Sequence, residues 1–128
     1  TLSNLSDKPS ALKNQSVTRA KMCELLGAKI VRPDASVMFS IGLLSTLDAY
    51  FDQPLEKIIA SMPLREDLID ALLDYSGIYG DILRVAMALE RAEIEQMDWS
   101  FLSRHNVTVE DINEIYQESI VWCHTSGM

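Results

Sequence analysis

Histidine and cysteine, the side chains from which metal and nucleophilic sites are most often built, number only two each in 128 residues. Neither His105 nor His124 is followed by glutamate, and neither lies three residues after one, which excludes the His-Glu-x-x-His zinc helix and the Glu-x-x-His di-iron helix. Cys23 and Cys123 stand at opposite ends of the chain without C-x-x-C spacing. Cys123 and His124 are both zinc-ligand types, but helical neighbours diverge by about 100° and a structural site needs about four ligands. Glycine is scarce as well, at five, and G-x-G-x-x-G, G-x-x-x-x-G-K and G-x-S-x-G are all missing. Gly77 and Gly80 precede a helical pattern, but Asp81 would repel an anion there. No catalytic residue, cofactor or metal ligand is expected, and the chain is not expected to be an enzyme.

Positive charge is also in short supply. Eleven Lys and Arg face 19 Asp and Glu, giving a net charge of −8 and a pI near 4.6. That leaves little of the cationic surface on which binding to nucleic acid or an anionic membrane depends. The longest charge-free apolar stretch, residues 35–47, falls short of the roughly 20 residues that span a bilayer, and no secretory signal is visible. The expected location is the cytoplasm, with both thiols reduced and buried; a disulfide between them is the alternative.

What is present suits a folded domain. Hydrophobic residues make up 48% and charged residues 23%, and a chain this long buries roughly two thirds of the surface its unfolded form exposes. One helical domain over residues 1–128 is expected, and the start at Thr1 in place of Met suggests a piece of something longer. Charge is uneven: residues 1–64 carry a balance of +1 and residues 65–128 of −9, which a solvated helical surface explains as readily as a binding face.

Apolar spacing is helical nearly throughout, with breaks at proline and glycine, which predicts an all-α bundle of six or seven helices. The first helix is expected from Lys8, capped by Asp7 with Pro9 in its first turn, to Gly27. It carries Leu12, Val17, Ala20, Leu25 and Leu26 on one side, with a break near Asn14 in view. Residues 29–32 read as a turn or a stub of strand. The run from Pro33 to Phe51 predicts one central helix, buried on most sides, in which Ser40 and Gly42 admit close neighbours. Pro54 and Pro63 bracket a short helix. Leu68, Ile69, Leu72 and Leu73 then face inward while Asp67, Asp70 and Asp74 face outward, with Gly77 ending the helix. Ile82, Val85, Ala86 and Leu89 form the next core stripe. Met97, Trp99, Phe101 and Leu102 anchor an irregular stretch, and His105 falls in a loop. Thr108 and Asp111 open a capping box for a last helix carrying Val109, Ile112, Ile115, Tyr116, Ser119 and Trp122.

Three ordered blocks also carry a family likeness: RAKMCELLG (19–27), FSIGLLSTLDAYFDQPLEKIIASMPLREDLIDALL (39–73) and GIYGDILRVAMALERAE (77–93). With their G-L-L-S-x-L-D, P-L-E-x-I and M-P-L phrases, they resemble the HDOD family, the HD-related output domain of bacterial signalling proteins. The closer likeness is to the C-terminal module of proteins that pair an EAL domain with HDOD. The resemblance implies an HD-like helical fold without the HD metal signature, and no His-Asp dipeptide occurs here. It also implies a setting in cyclic di-GMP signalling, with action through contacts to the chain's own EAL domain, a second copy or another protein. The alternatives are a fragment of a metal-dependent HD-type phosphohydrolase and a generic helical dimerisation domain. As a contact surface, the basic side of the first helix (Lys13, Arg19, Lys21) is expected to meet an acidic face such as Asp67, Asp70 and Asp74 of another copy.

Overall fold

A computed structural model describes residues 10–125 of the chain. All regular structure among them is helical: α1 (Ser10–Ile30), α2 (Ala35–Leu44), α3 (Leu47–Phe51), α4 (Leu55–Ala60), α5 (Glu66–Asp74), α6 (Gly77–Glu90), α7 (Trp99–Arg104) and α8 (Val109–Thr125), with short 3-10 turns at Arg32–Asp34 and Ile94–Gln96. The all-α expectation holds. Three of these helices have only five or six residues, too short to stand without the packing around them.

The centre of the bundle is α1. Its residues 16–20 are buried without interruption, which happens only when a helix is covered on every side, and it packs against α2, α6 and α8. The charge-free run expected to be the central helix behaves differently. It breaks at Ser45 and Thr46 into α2 and α3; α2 buries Met38, Ile41 and Gly42 and turns Ser36, Ser40 and Leu43 to solvent. Lack of charge marked a helix that needs no ion pairs on its outer side, and burial followed the neighbours.

Two glycines set the spacing of the antiparallel α1–α2 hairpin. A Cβ on Gly42 would lie 2.8 Å from Ala20 Cα and 3.0 Å from the Arg19 carbonyl oxygen, and one on Gly27 would lie 2.9 Å from Met38 Cγ. Of the two small residues expected to permit close approach, Gly42 does so and Ser40 is exposed. Gly27, expected as a helix end, lies inside α1, which continues to Ile30 with no break at Asn14. Residues 29–32 are the helix end and the start of a 3-10 turn, so no strand forms. The expected Asp7 cap and Pro9 lie outside the described residues.

Farther along, α5 ends on Tyr75 in the left-handed conformation (φ 54°), two residues before Gly77 (φ 73°), which opens α6. The turn is locked by Gly80: a Cβ there would come within 2.2 Å of the Tyr75 carbonyl carbon. The capping box at α8 forms as expected, with Thr108 N donating to Asp111 Oδ2 at 2.9 Å and Asp111 N donating to Thr108 Oγ1 at 3.1 Å. Cys123 is buried and His124 exposed, but Trp99, Val109 and Tyr116 are exposed where core positions were expected. Trp122 is half-buried, edge-on to Phe39 and under the Lys21 ammonium at 5.1 Å.

The hairpin spacing is testable. Gly42→Ala should lower unfolding stability by about 1–3 kcal/mol through overpacking against α1, whereas Ser40→Ala should stay within about 0.5 kcal/mol of wild type, both read by urea titration.

Candidate functional site

The first helix does not present a basic face. Positions 13, 19 and 21 point in different directions at about 100° per residue, and the structure disperses them. Lys13 is exposed, Arg19 is 5% exposed and faces the core, and Lys21 is half-buried, paired with Glu24 at 2.7 Å. The expected contact surface built from these three is corrected accordingly. Asp67, Asp70 and Asp74 do share the outer side of α5, and all three are exposed; Asp67 also pairs with the neighbouring Arg65 at 3.2 Å.

Arg19 instead anchors a buried polar network. Its Nε donates to Glu90 Oε1 at 2.7 Å, one terminal nitrogen to Glu90 Oε2 at 3.1 Å, and the other to Ser45 Oγ at 3.0 Å. Gln15 Nε2 donates to Glu90 Oε2 at 2.6 Å. Ser45 Oγ donates in turn to the Gly42 carbonyl at 2.7 Å, and beside it Ser16 Oγ donates to Thr46 Oγ1 at 2.7 Å. The break between α2 and α3 therefore places two hydroxyls against α1. Burial by itself would lower the Arg19 pKa, but the hydrogen bond and charge of Glu90 outweigh it, and the guanidinium is held charged above its ordinary value. Arg19 and Glu90 thus join α1 to the end of α6 through a two-pronged charged contact.

Above this network opens a cleft of about 300 Å³, walled by Leu12, Leu55, Leu72 and Met87, with Tyr75 and Arg91 at its mouth. A bulky residue in the left-handed region is uncommon and costs on the order of 1–3 kcal/mol, yet Tyr75 is held there as an exposed residue. A second cleft, of about 500 Å³, lies between α1 and α8. Its charges are mixed: Lys29 pairs with Asp111 at 3.4 Å, and Arg32, Glu114, Glu118 and His105 line the rest. His105 sits at the end of α7 with its ring 4.8 Å from that of Phe101. Among the described residues no three His, Cys, Asp or Glu side chains gather where a metal ion could be held.

Both cysteines are buried free thiols. The Cys23 pKa is pushed up to about 12, chiefly by burial, with Glu90 adding to the shift and Arg19 opposing it, so this thiol is not a nucleophile at neutral pH.

The Arg19–Glu90 pair was missed in the sequence, although a signal exists. Leu12, Ser16, Arg19, Cys23 and Leu26 follow the alternating four-three spacing of a core stripe, so a charge at position 19 falls where only a partnered charge is tolerated. Which acid serves as the partner is a tertiary fact that the pattern does not hold.

The chain is 32% identical over 111 residues to the uncharacterized protein YuxH of Bacillus subtilis (strain 168), covering 85% of this chain and 26% of that protein. It is 31% identical over 117 residues to the cyclic di-GMP phosphodiesterase CdgJ of Vibrio cholerae serotype O1, covering 90% of this chain and 26% of that protein. The chain thus spans about a quarter of the length of the curated relatives it matches. No family model matches it. No solved structure matches it. Among the described residues no helix is long and apolar enough to cross a membrane.

Two outcomes follow from the site. Arg19→Ala or Glu90→Ala should each cost about 3–5 kcal/mol by leaving the other charge buried and unpaired, while the double replacement Arg19→Met with Glu90→Leu should recover most of that loss in urea unfolding. Because the folded-state pKa of Cys23 lies above that of an unfolded thiol, stability contributed by this group is intact below about pH 8.5. It should drain away as pH rises toward about 12, and Cys23→Ala should flatten that decline.

Proposed function

We propose that the chain is a non-catalytic helical module of a cyclic di-GMP signalling protein, of the HDOD type found with EAL domains, and that it acts by contacting another protein domain. The observation that carries the reading is the extent of the match to CdgJ: nearly all of this chain aligns, yet it accounts for only 26% of that phosphodiesterase. Such a match supports reading the chain as one part of a larger signalling protein, and the HDOD-like blocks in residues 19–93 support an output role for it.

The chemistry of the residues supports the same reading. The buried polar groups around Arg19 are spent on one another, and the buried Cys23 thiol is protonated. Asp70 and Asp74 on α5 and Arg84 on α6 are among the exposed charged side chains that a partner protein can reach. We place the module in the cytoplasm, where cyclic di-GMP signalling operates.

The test is direct. The purified chain, incubated with cyclic di-GMP and Mg²⁺ or Mn²⁺, should produce no linear dinucleotide, and its addition or deletion should change the output of the EAL-containing parent. Metal-dependent turnover that is abolished by chelator would overturn the reading in favour of a phosphohydrolase fragment.

A further inference from the structure

Residues 65–128 hold only four cations, Arg65, Arg84, Arg91 and Arg104, among thirteen acids. Arg84 and Arg91 stand out because they lie two helical turns apart along α6 and its cap, both exposed. Among the described residues neither makes an ion pair. Between them Met87 and Tyr75 help line a groove of about 400 Å³ in which Glu93 is the one acid against the two arginines, and Tyr75, Met87 and Arg91 also line the cleft over Arg19. Two free guanidiniums in so acidic a surface call for a negatively charged occupant.

The chain carries a surface of matching spacing. Asp67, which shares an exposed pairing with Arg65 at 3.2 Å, and Asp74 are also seven residues apart, with Asp70 between them on the same exposed side of α5. Seven residues of helix rise about 10.5 Å, so the carboxylates at 67 and 74 and the guanidiniums at 84 and 91 repeat at the same interval. The α5 and α6 helices are consecutive and packed on one another. The equal spacing and opposite charge suit an isologous, two-fold pairing in which the acidic helix of each copy lies along the arginine helix of the other. Tyr75 and Ile78, 37% and 38% exposed, supply apolar area beside the charges. The left-handed turn locked by Gly80 is what projects Tyr75 there.

Resting on the reading that this chain works through protein contacts, we infer that the α5–α6 hairpin is a self-docking surface whose partner is a second copy of the same chain. The acidic face named in the sequence keeps its role, and its counterpart becomes Arg84 and Arg91 in place of Lys13, Arg19 and Lys21.

Salt is a poor probe, because the net charge of −8 on each copy repels at long range while the pairs attract at contact. Charge exchange avoids the difficulty. Sedimentation velocity should show the wild-type chain as a reversible dimer. Arg84→Glu/Arg91→Glu should weaken it about tenfold or more, and so should Asp67→Lys/Asp74→Lys, even though the second variant is less negative overall. Circular dichroism checks that both remain folded. An equal mixture of the two variants should dimerise as tightly as wild type, since acid again faces base on both halves and the mixed pair carries the same total charge as the wild-type pair. A monomeric wild type, variants that dimerise like wild type, or a mixture that stays monomeric would each overturn the inference. So would cyclic di-GMP binding that depends on Arg84 and Arg91. Turnover of cyclic di-GMP by the chain sinks the underlying reading independently of oligomeric state, so the two failures are distinguishable.

Discussion

A guanidinium taken out of water has to be met by a carboxylate and by hydrogen bonds, and the placement of Arg19 in the middle of α1 imposes that demand on the whole bundle. Glu90 answers from the last residue of α6 and Ser45 from the break after α2. One side chain thereby ties together the ends of two other helices. Gly42 makes the arrangement possible by letting α2 come so near α1 that a single methyl group would collide with the backbone. The pair is costly to bury, and apolar residues of the same volume would hold the helices about as well. Its contribution lies in the register it imposes: a one-turn slip of α6 along α1 would strand two charges.

That register has consequences for the surface. With Glu90 pinned to α1, the helix that carries it turns Ile82, Val85, Ala86 and Leu89 inward and leaves Arg84 and Arg91 outward. Gly80, one turn from the start of the same helix, receives the Tyr75 backbone and fixes the hairpin to α5. The interior and the proposed contact surface are therefore two sides of the same helix. The contact role proposed above draws on that outer side; the chain itself aligns with about a quarter of CdgJ and of YuxH.

Much of this was legible in the sequence, and the limits have physical causes. Core stripes such as Ile82, Val85, Ala86 and Leu89, the capping box at Thr108 and Asp111, and the outward set Asp67, Asp70 and Asp74 are local, written in spacings of three and four. Gly27 was misread as a terminus because a glycine inside a helix and one after it look alike until the neighbour that needs the space, here Met38, is known. Tyr75 was missed as the cap of α5 because Gly77 two residues later is the better candidate by propensity; the Gly80 contact decided it. The charge-free run 35–47 looked central through hydrophobicity alone, whereas centrality belongs to α1, whose Ser16, Thr18 and Arg19 are buried despite being polar. The candidate site was least legible, since Arg19 with Glu90 is a relationship between distant segments and the proposed match of arginine and aspartate stripes is one between two copies.

Amide hydrogen exchange of the intact chain, followed as its concentration is raised, examines the central claim most closely. Residues in α1 around Arg19 should exchange slowly at every concentration, while protection should grow with concentration only in α5 and from Gly77 through Arg91. Protection that is independent of concentration there, or that arises instead between α1 and α8 on adding cyclic di-GMP, would contradict it.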